Sequence, residues 1–313
     1  MLDWPAGSVA TAAKPADSAA ERLRGAWYGL ALGDALCTAP AVDDGLVAWT
    51  QHTALALCLG DSLLDKGGND ARDQIERYLR WQREGHRTAT GVVAEAVATP
   101  DVAKALATYL WRRLPMAGAH DPRDVSATSL PRVVAAACFA AADPPAAVAL
   151  AAEVARTTHQ SPLILDTCRL YAAMLVGALR GEPPTRWLDG VPAFEPSPWT
   201  ARPLREDVRT AASSGEIDAT HAAPGTVLHV LLEARRVARH ADDFRSVIET
   251  ARRAAKKGPV TAPYGALAAT LYGAMHGAAA IPVETCARLA GAAQLEAAIE
   301  RWLARGRTTG ATA

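Results

Sequence analysis

The stretch GALAATLYGAMHG, residues 265–277, places glycine or alanine at every fourth position, at Gly265, Ala269, Gly273 and Gly277. Four-residue spacing lines these positions up on one face of an α-helix. Such a face lets a second helix approach closely, and it lowers helix propensity, which the packing has to recover. The stretch therefore predicts a central helix that is buried on several sides, with its first residues forming the floor of any pocket above it.

Helical periodicity continues through most of the chain. Apolar residues recur three or four positions apart, as in Leu23, Trp27 and Leu30, and no convincing two-residue alternation of a strand is present. The Pro-rich stretch 181–204 is interpreted as a surface loop, because the sequences on both sides of it have similar composition and no charge shift. The pattern predicts a single compact all-α domain of roughly a dozen helices.

The predicted boundaries follow from composition at the two ends. Residues 1–20 are rich in Ala, Pro, Ser and Gly and are expected to form a disordered tail. The helical domain is predicted over residues 21–308, and residues 309–313 form a short C-terminal tail.

The overall composition excludes several classes of protein. The chain has 313 residues, half of them hydrophobic, and a formal net charge of zero, which argues against a nucleic-acid partner or a membrane surface. The N-terminus lacks the features of a secretory signal, and no apolar stretch is a convincing membrane span. The five cysteines form no CxxC pair, so buried thiols in a reducing cytosol are expected and the protein is predicted to be cytoplasmic.

A second stretch, AWTQHTALALCL at residues 48–59, has a clear helix start. Thr50 suits the N-cap, because its hydroxyl can accept a free backbone N–H, and Trp49 suits the apolar position before it. The first turn then carries Gln51 and His52 instead of the carboxylates that a helix N-terminus favours. This absence needs an explanation.

Several stretches together resemble the ADP-ribosylglycohydrolase family, whose fold is all-α and which includes crystallin J1. They occur in the family's order and at similar spacing, over about residues 21–304: RLRGAWYGLALGDAL (22–36), WTQHTALALCLGDSLL (49–64), TSLPRVVAAACF (128–139), TTHQSP (157–162) and GALAATLYGAMHGAAAIP (265–282).

The resemblance implies a function and exposes a difference. The family removes ADP-ribose with two magnesium ions, which a Thr and two Asp hold at the first of two segments. Here Thr50 remains, and the two aspartates are replaced by Gln51 and His52.

The second metal-binding segment differs in the same way. The family's two Asp and its Ser or Thr fall on Val260, Ala262 and Pro263 when Gly265 sets the register, and residues 250–283 contain no Asp or Glu. Magnesium demands hard oxygen ligands. We therefore predict no metal site and no magnesium cofactor. Loss of all the carboxylates together with both ions leaves the charge balanced, whereas loss of only some of them would leave a buried charge without a partner.

Candidate catalytic residues are few. Asp34 is either a surviving acid or a carboxylate bonded to nearby backbone, and His52 is either a new base or a hydrogen-bonding residue of a remodelled pocket. Ser129, His159 and Asp166 define no triad without geometry.

A larger set of polar residues is expected to line the pocket. His159 is alternatively a residue that caps helix carbonyls. Lys257 is alternatively part of a basic helix C-terminus and not a phosphate ligand. The predicted ligand-binding residues are Thr50, Gln51, His52, Ser129, His159, Lys257, Thr261 and Tyr264.

Three functions remain open at this point. The first is a pseudoenzyme that binds an ADP-ribose-like or nucleotide-like ligand, or a protein partner. The second is a glycosidic-bond hydrolase that works without metal through Asp34 or His52. The third is a structural protein, for which crystallin J1 is the precedent within the family.

Overall fold

A computed structural model of the chain describes residues 16, 18–38, 46–88, 91–94, 96–214, 217, 220, 222–259 and 262–310, with backbone alone for 86–94 and 307–310. Helices dominate these residues. The described elements are α1 (Ala19–Thr38), α2 (Gln51–Lys66), α3 (Ala71–Glu84), β1 (His86–Thr88), β2 (Gly91–Ala94), α4 (Pro100–Arg112), α5 (Val133–Phe139), α6 (Pro144–Ala155), α7 (Pro162–Leu179), α8 (Glu206–Ser213), α9 (Val227–His240), α10 (Phe244–Ala255), α11 (Tyr264–His276), α12 (Val283–Ala287) and α13 (Ala292–Gly310).

Local sequence accounts for where many of these helices begin. Asp70 caps α3 by accepting the N–H groups of Arg72 and Asp73, and Asp243 forms a capping box with Ser246 at the start of α10. Proline occupies the first turn of α4, α6 and α7, where its missing N–H costs nothing. The predicted N-cap of α2 is confirmed, since the Thr50 side chain accepts the N–H of His52.

Two stripes of small residues hold α1 against α11. A Cβ placed on Gly25 would lie 2.1 Å from the carbonyl oxygen of Gly273, and one on Gly29 would lie 2.0 Å from that of Ala269. A Cβ on Gly33 would lie 2.2 Å from the carbonyl oxygen of Gly265. No side chain fits at these contacts, so the close approach predicted for the 265–277 helix is confirmed, and α1 supplies the facing stripe.

The pairing of these stripes makes the two helices antiparallel. Position 25 meets 273 and position 33 meets 265, so the C-terminal end of α1 lies beside the N-terminal end of α11. Gly33 is followed directly by Asp34, a polar candidate residue. The helix packing therefore brings Asp34 close to the first turn of α11.

The α7 helix forms the centre of the core. It is the one described helix that is long and apolar enough to cross a membrane, but 89% of that window is buried inside the protein. Its side chains from Ile164 to Leu179 are buried on every face. This burial is typical of a core helix surrounded by other helices.

The Pro-rich stretch 181–204 packs back onto this core. Trp187, Phe194 and Leu204 are buried there. Arg169 of α7 donates to the carbonyl oxygens of Arg202 and Pro203, which ties the end of the stretch to the central helix.

All five cysteines are free thiols. Burial raises the pKa of Cys37, Cys58 and Cys138 to about 12, and that of Cys168 and Cys286 to about 11. A thiol with such a pKa is protonated at neutral pH and is a weak nucleophile.

The all-α class predicted from periodicity is confirmed, with one small addition. The strands β1 and β2 pair antiparallel, a hairpin that the sequence analysis did not predict. Strands of three and four residues are too short to show an alternating pattern. The first helix begins at Ala19 and the last ends at Gly310, each two residues outside the predicted domain edges, while residues 1–15 of the predicted tail lie outside the described residues.

Candidate functional site

The N-terminus of α2 is bonded to a carboxylate that comes from another helix. Asp34 of α1 accepts the backbone N–H of Thr50 at 2.9 Å and that of Thr53 at 3.1 Å. The hydroxyls of Thr50, Thr53 and Thr38 donate to the same carboxylate at 2.7, 2.9 and 2.9 Å. The negative charge that a helix N-terminus favours is therefore present at α2, although its own first turn contains none.

These contacts leave Asp34 little capacity for chemistry. The residue has no exposed surface, and its carboxylate accepts five hydrogen bonds, whereas a carboxylate offers about four lone-pair sites. No acceptor position remains for a substrate proton. The geometry favours the structural interpretation of Asp34 over the catalytic one.

Gln51 is engaged at both ends of its amide. Its Nε2 donates to the Thr99 hydroxyl at 2.8 Å, and its Oε1 accepts the Thr99 backbone N–H at 2.8 Å. Thr99 is the N-cap residue of α4, so the pair joins the starts of two helices. Gln51 is only 3% exposed, which makes this clasp a buried one.

His52 follows Gln51 in the same turn and is also buried, with 4% of its surface exposed. Thr50 is half-buried, and its hydroxyl is used by Asp34 and by the N–H of His52. The three residues at the first metal-binding segment are thus adjacent and mostly enclosed by protein.

The second segment lies at the start of α11. Ala262 and Tyr264 are buried, and the N–H of Tyr264 donates to the Ala262 carbonyl at 3.0 Å. Burial raises the pKa of the Tyr264 phenol. Val260 and Thr261 lie outside the described residues.

Two contacts place this segment in the fold. A Cβ on Gly258 would lie 2.5 Å from the Tyr264 hydroxyl, so the phenol sits against the backbone just after α10. One on Gly265 would lie 2.5 Å from the carbonyl oxygen of Gly33, the residue before Asp34. Lys257 is exposed at the end of α10, as expected for a basic helix C-terminus.

The residues at the family's metal positions do not fit magnesium. Magnesium needs near-octahedral coordination by hard oxygen ligands. The Thr50 hydroxyl and the Gln51 amide are bonded to Asp34 and Thr99, the side chain of His52 offers only nitrogen, and Ala262 has no donor atom. In the described ranges no group of three or more His, Cys, Asp or Glu side chains is arranged to hold a metal ion.

A second polar network surrounds Asp101, which lies two residues after Thr99. Its Oδ2 accepts the Ser126 hydroxyl at 2.6 Å and lies 2.7 Å from Nε2 of His159. The hydroxyls of Thr128 and Thr99 also donate to this carboxylate. Burial raises the pKa of Asp101, but the hydrogen bonds and charge of these partners outweigh it and hold that pKa well below its usual range.

The network continues from His159 to a buried arginine. Nδ1 of His159 lies 2.7 Å from the Thr158 hydroxyl, to which Arg132 donates. Because an ionised carboxylate can only accept, the 2.7 Å contact with Asp101 assigns a ring proton to Nε2 of His159. The guanidinium of Arg132 also lies over the Tyr78 ring, 5.7 Å from its centroid.

The hydrogen-bond partners of His159 are therefore not the Ser129 and Asp166 that a triad would need. Ser129 contacts the sulfur of Cys168 at 3.5 Å, and Asp166 pairs with Arg169 at 2.8 Å. The acid beside His159 is Asp101. Ser129, His159 and Asp166 do not form a triad.

The structure thus brings together some of the predicted site residues and adds others. Gln51 connects through Thr99 and Asp101 to His159, whereas Ser129 lies apart from that series. Sequence reasoning missed Thr99 and Asp101. Thr99 stands directly before Pro100, the position of an N-cap before a proline-started helix, and that signal could have identified it.

Comparisons with known proteins agree with the architecture. The fold and the site define an all-α protein in which the N-termini of α2 and α11 lie beside the C-terminal end of α1. The sequence model of the ADP-ribosylglycohydrolase family matches residues 15–312. The chain belongs to the ADP-ribosylglycohydrolase family.

Individual relatives support the same assignment. The chain is 26% identical over 292 residues to the ADP-ribosylarginine hydrolase Tri1 of Pseudomonas putida (strain GB-1), an alignment that covers 88% of this chain and 76% of that protein. It is 24% identical over 184 residues to Tri1 of Serratia proteamaculans (strain 568), covering 53% of this chain and 50% of that one. A solved structure described as an ADP-ribosylglycohydrolase-related protein complex superposes with a TM-score of 0.71 at 29% identity, covering 92% of this chain and 98% of the solved one.

Proposed function

We propose that this protein is a pseudoenzyme of the ADP-ribosylglycohydrolase family that binds an ADP-ribose-like or nucleotide-like ligand without magnesium-dependent hydrolysis. The observation that carries the proposal is the clasp between Gln51 and Thr99, which occupies both polar atoms of the Gln51 amide. Where the family has a metal-binding carboxylate, this chain has a side chain that holds two helices together.

Charge balance supports the loss of the whole metal site. Gln51 carries no charge, and residues 250–283 contain no acidic residue. A single leftover carboxylate without its ion would leave a buried unpaired charge, which is costly. The one buried carboxylate near these positions in the described chain, Asp34, is stabilised by five hydrogen bonds and by the positive end of α2.

The same geometry argues against rapid hydrolysis by other groups. Cleaving a glycosidic bond needs a group that takes or gives a proton and a charge that stabilises the transition state. Asp34 has its acceptor positions filled. Asp101 has a very low pKa and accepts from His159 and from hydroxyls, which makes it a poor base.

Family membership supports the ligand class. The ADP-ribosylglycohydrolase match covers residues 15–312, and Tri1, named as an ADP-ribosylarginine hydrolase, aligns over most of the chain. A scaffold kept over that length is suited to retain binding of an ADP-ribose-like group even where the catalytic ions are lost.

Calorimetry and an activity assay together test the proposal. ADP-ribose titrated into the full chain is expected to bind with the same affinity in EDTA and in millimolar magnesium. An ADP-ribosylated arginine peptide incubated with the protein is expected to release no ADP-ribose above background in either condition.

Each other outcome has a defined meaning. Release that EDTA abolishes refutes the proposal, and release that persists in EDTA assigns the chain to the metal-independent hydrolases. Absence of ADP-ribose binding in both conditions removes the ligand from the proposal and leaves a protein-partner or structural role.

A further inference from the structure

The C-terminal end of α4 presents large apolar side chains to solvent. Trp111 is 77% exposed, Leu114 61% and Leu110 40%, although the helix already buries Val102 and Leu106 on its inner face. Most large apolar side chains of the described residues are packed in the core. A cluster of this kind, within five consecutive residues, is typical of an interaction surface.

Arginines flank this cluster on both sides. Arg112 and Arg113 belong to the same turn, and Arg80 and Arg83 come from α3. A surface groove of about 360 Å³ is lined by Arg80, Arg83 and Arg113 together with Leu110. We call these seven residues the α4 surface: Arg80, Arg83, Leu110, Trp111, Arg112, Arg113 and Leu114.

The four arginines differ from a neighbouring arginine that is paired with acids. Arg77, one turn earlier on α3, pairs with Asp65 and Asp73, whereas Arg80, Arg83, Arg112 and Arg113 make no ion pair with any described residue. Glu76 and Glu84 also line the groove, and Glu76 accepts the Tyr109 hydroxyl at 2.6 Å. The α4 surface therefore carries a local positive excess on a chain whose net charge is zero.

Two further features indicate that the surface is held in shape. The Arg112 guanidinium lies 4.9 Å from the Trp111 ring centroid, a cation–π contact that orders both side chains. Arg113 has φ 59° and ψ 19°, a left-handed conformation that glycine adopts without strain and arginine does not. It is the one non-glycine residue with positive φ in the described chain. Arg113 is the C-cap of α4, and its backbone N–H donates to the Tyr109 carbonyl oxygen at 2.7 Å, so the end of the helix is fixed at this residue.

We propose that the α4 surface docks an acidic amphipathic segment of a partner protein. Trp and Arg are the side chains that most often dominate binding energy in protein interfaces. Arginines that form no ion pair among the described residues select for Asp and Glu. The ridge of Leu110, Trp111 and Leu114 selects for apolar side chains between them. The proposal goes beyond the ligand-binding function, because it uses α3 and α4 and not the first turn of α2.

A protein segment fits these groups better than a nucleic acid does. Binding of a single strand relies on several aromatic rings that stack with bases, and the ridge contains one such ring beside two aliphatic side chains. Leucine side chains complement an apolar helix face. We therefore expect the partner segment to be a helix with acidic residues beside an apolar stripe.

The probe is a library of helical peptides displayed against the full-length chain. We expect the enriched peptides to be acidic, with apolar residues at three- and four-residue spacing. Their affinity should fall at least about tenfold for Trp111→Ala and for Arg83→Glu/Arg113→Glu, and Trp111→Phe should retain more affinity than Trp111→Ala. The control Arg209→Glu/Arg236→Glu changes two exposed arginines of α8 and α9 and should leave affinity within about twofold.

Contradicting results are equally clear. Enriched peptides that are neutral or basic, or that bind the α4 variants as well as the parent protein, overturn the proposal. So does a single-stranded oligonucleotide that binds the parent protein and loses affinity in the same variants. Thermal melts check folding, and Arg113→Gly should raise the melting temperature while it weakens peptide binding.

Discussion

Replacement of Asp34 by asparagine tests whether this residue is the buried anion of the α2 N-terminus. The asparagine amide can keep its oxygen toward the N–H groups of Thr50 and Thr53, and its NH₂ group then faces the hydroxyls of Thr38 and Thr50, which can rotate to accept. What the variant loses is the charge. It keeps the shape of the side chain.

The size of the loss follows from those contacts. A hydrogen bond to a charged group stabilises by about 1 kcal/mol more than a neutral one, and Asp34 accepts two such bonds from backbone N–H groups. The favourable interaction with the positive end of α2 adds about 1–2 kcal/mol in a buried setting. We expect Asp34→Asn to lower the free energy of unfolding by about 3 kcal/mol.

Urea unfolding at neutral pH measures this quantity directly. Asp70→Asn is a matched control, because Asp70 also accepts two helix N–H groups, from Arg72 and Asp73, but at a more exposed N-cap. Asparagine caps helices well, so that variant should change stability by less than about 0.5 kcal/mol. If Asp34→Asn unfolds at the same urea concentration as the parent protein, the carboxylate does not have the role assigned to it.

Two further predictions concern the polar networks. Gln51→Asp/His52→Asp should destabilise the protein by about 1–3 kcal/mol at pH 7, because two carboxylates then face a pocket without a metal. Adding Val260→Asp and Ala262→Asp should make the loss larger in EDTA and partly reversible by magnesium, as thermal melts in the two conditions will show. Melts of the two-residue variant that match the parent protein would contradict the assignment of these positions to a buried pocket. Absence of a magnesium effect in the four-residue variant would refute the vestigial metal site. The pKa of Asp101 is depressed on folding, so its contribution is fully present above the ordinary Asp pKa of about 4 and is lost as the pH falls below it. Urea midpoints between about pH 3 and pH 7 should therefore fall more steeply for the parent protein than for Asp101→Asn, and parallel curves would contradict the assignment.

Features that depend on local pattern were predictable from the sequence. The stripe of Gly265, Ala269 and Gly273 predicted a closely packed helix, and its partner stripe on α1 was visible at the same four-residue spacing. The cap at Thr50 was predictable because capping uses residues that are adjacent along the chain. Local geometry determines both features.

Features that depend on tertiary packing were not predictable in the same way. Asp34 bonds Thr50 across 16 residues, and Gln51 bonds Thr99 across 48. The pairing of Asp101 with His159 spans 58 residues. No periodicity or spacing rule indicates which of many polar residues meet at such separations, so the sequence left Asp34 with two interpretations and gave no role to Thr99 or Asp101.

The packing that holds the domain together involves none of the positions that match the family's metal ligands. The packing that brings α1 against α11 uses glycine contacts that involve no metal-binding position. The N-terminus of α2 obtains its negative charge from Asp34. Both features stabilise the domain without any ion.

The central claim is that the positions around Thr50 and Gln51 no longer bind a divalent cation. A crystal of the full chain soaked in millimolar manganese, with anomalous data collected at the manganese edge, tests it most directly. We expect no anomalous peak within coordination distance of the Thr50 hydroxyl or the Gln51 amide oxygen, and the Gln51–Thr99 hydrogen bonds should be intact. A manganese ion held by Thr50 and Gln51 would contradict the account.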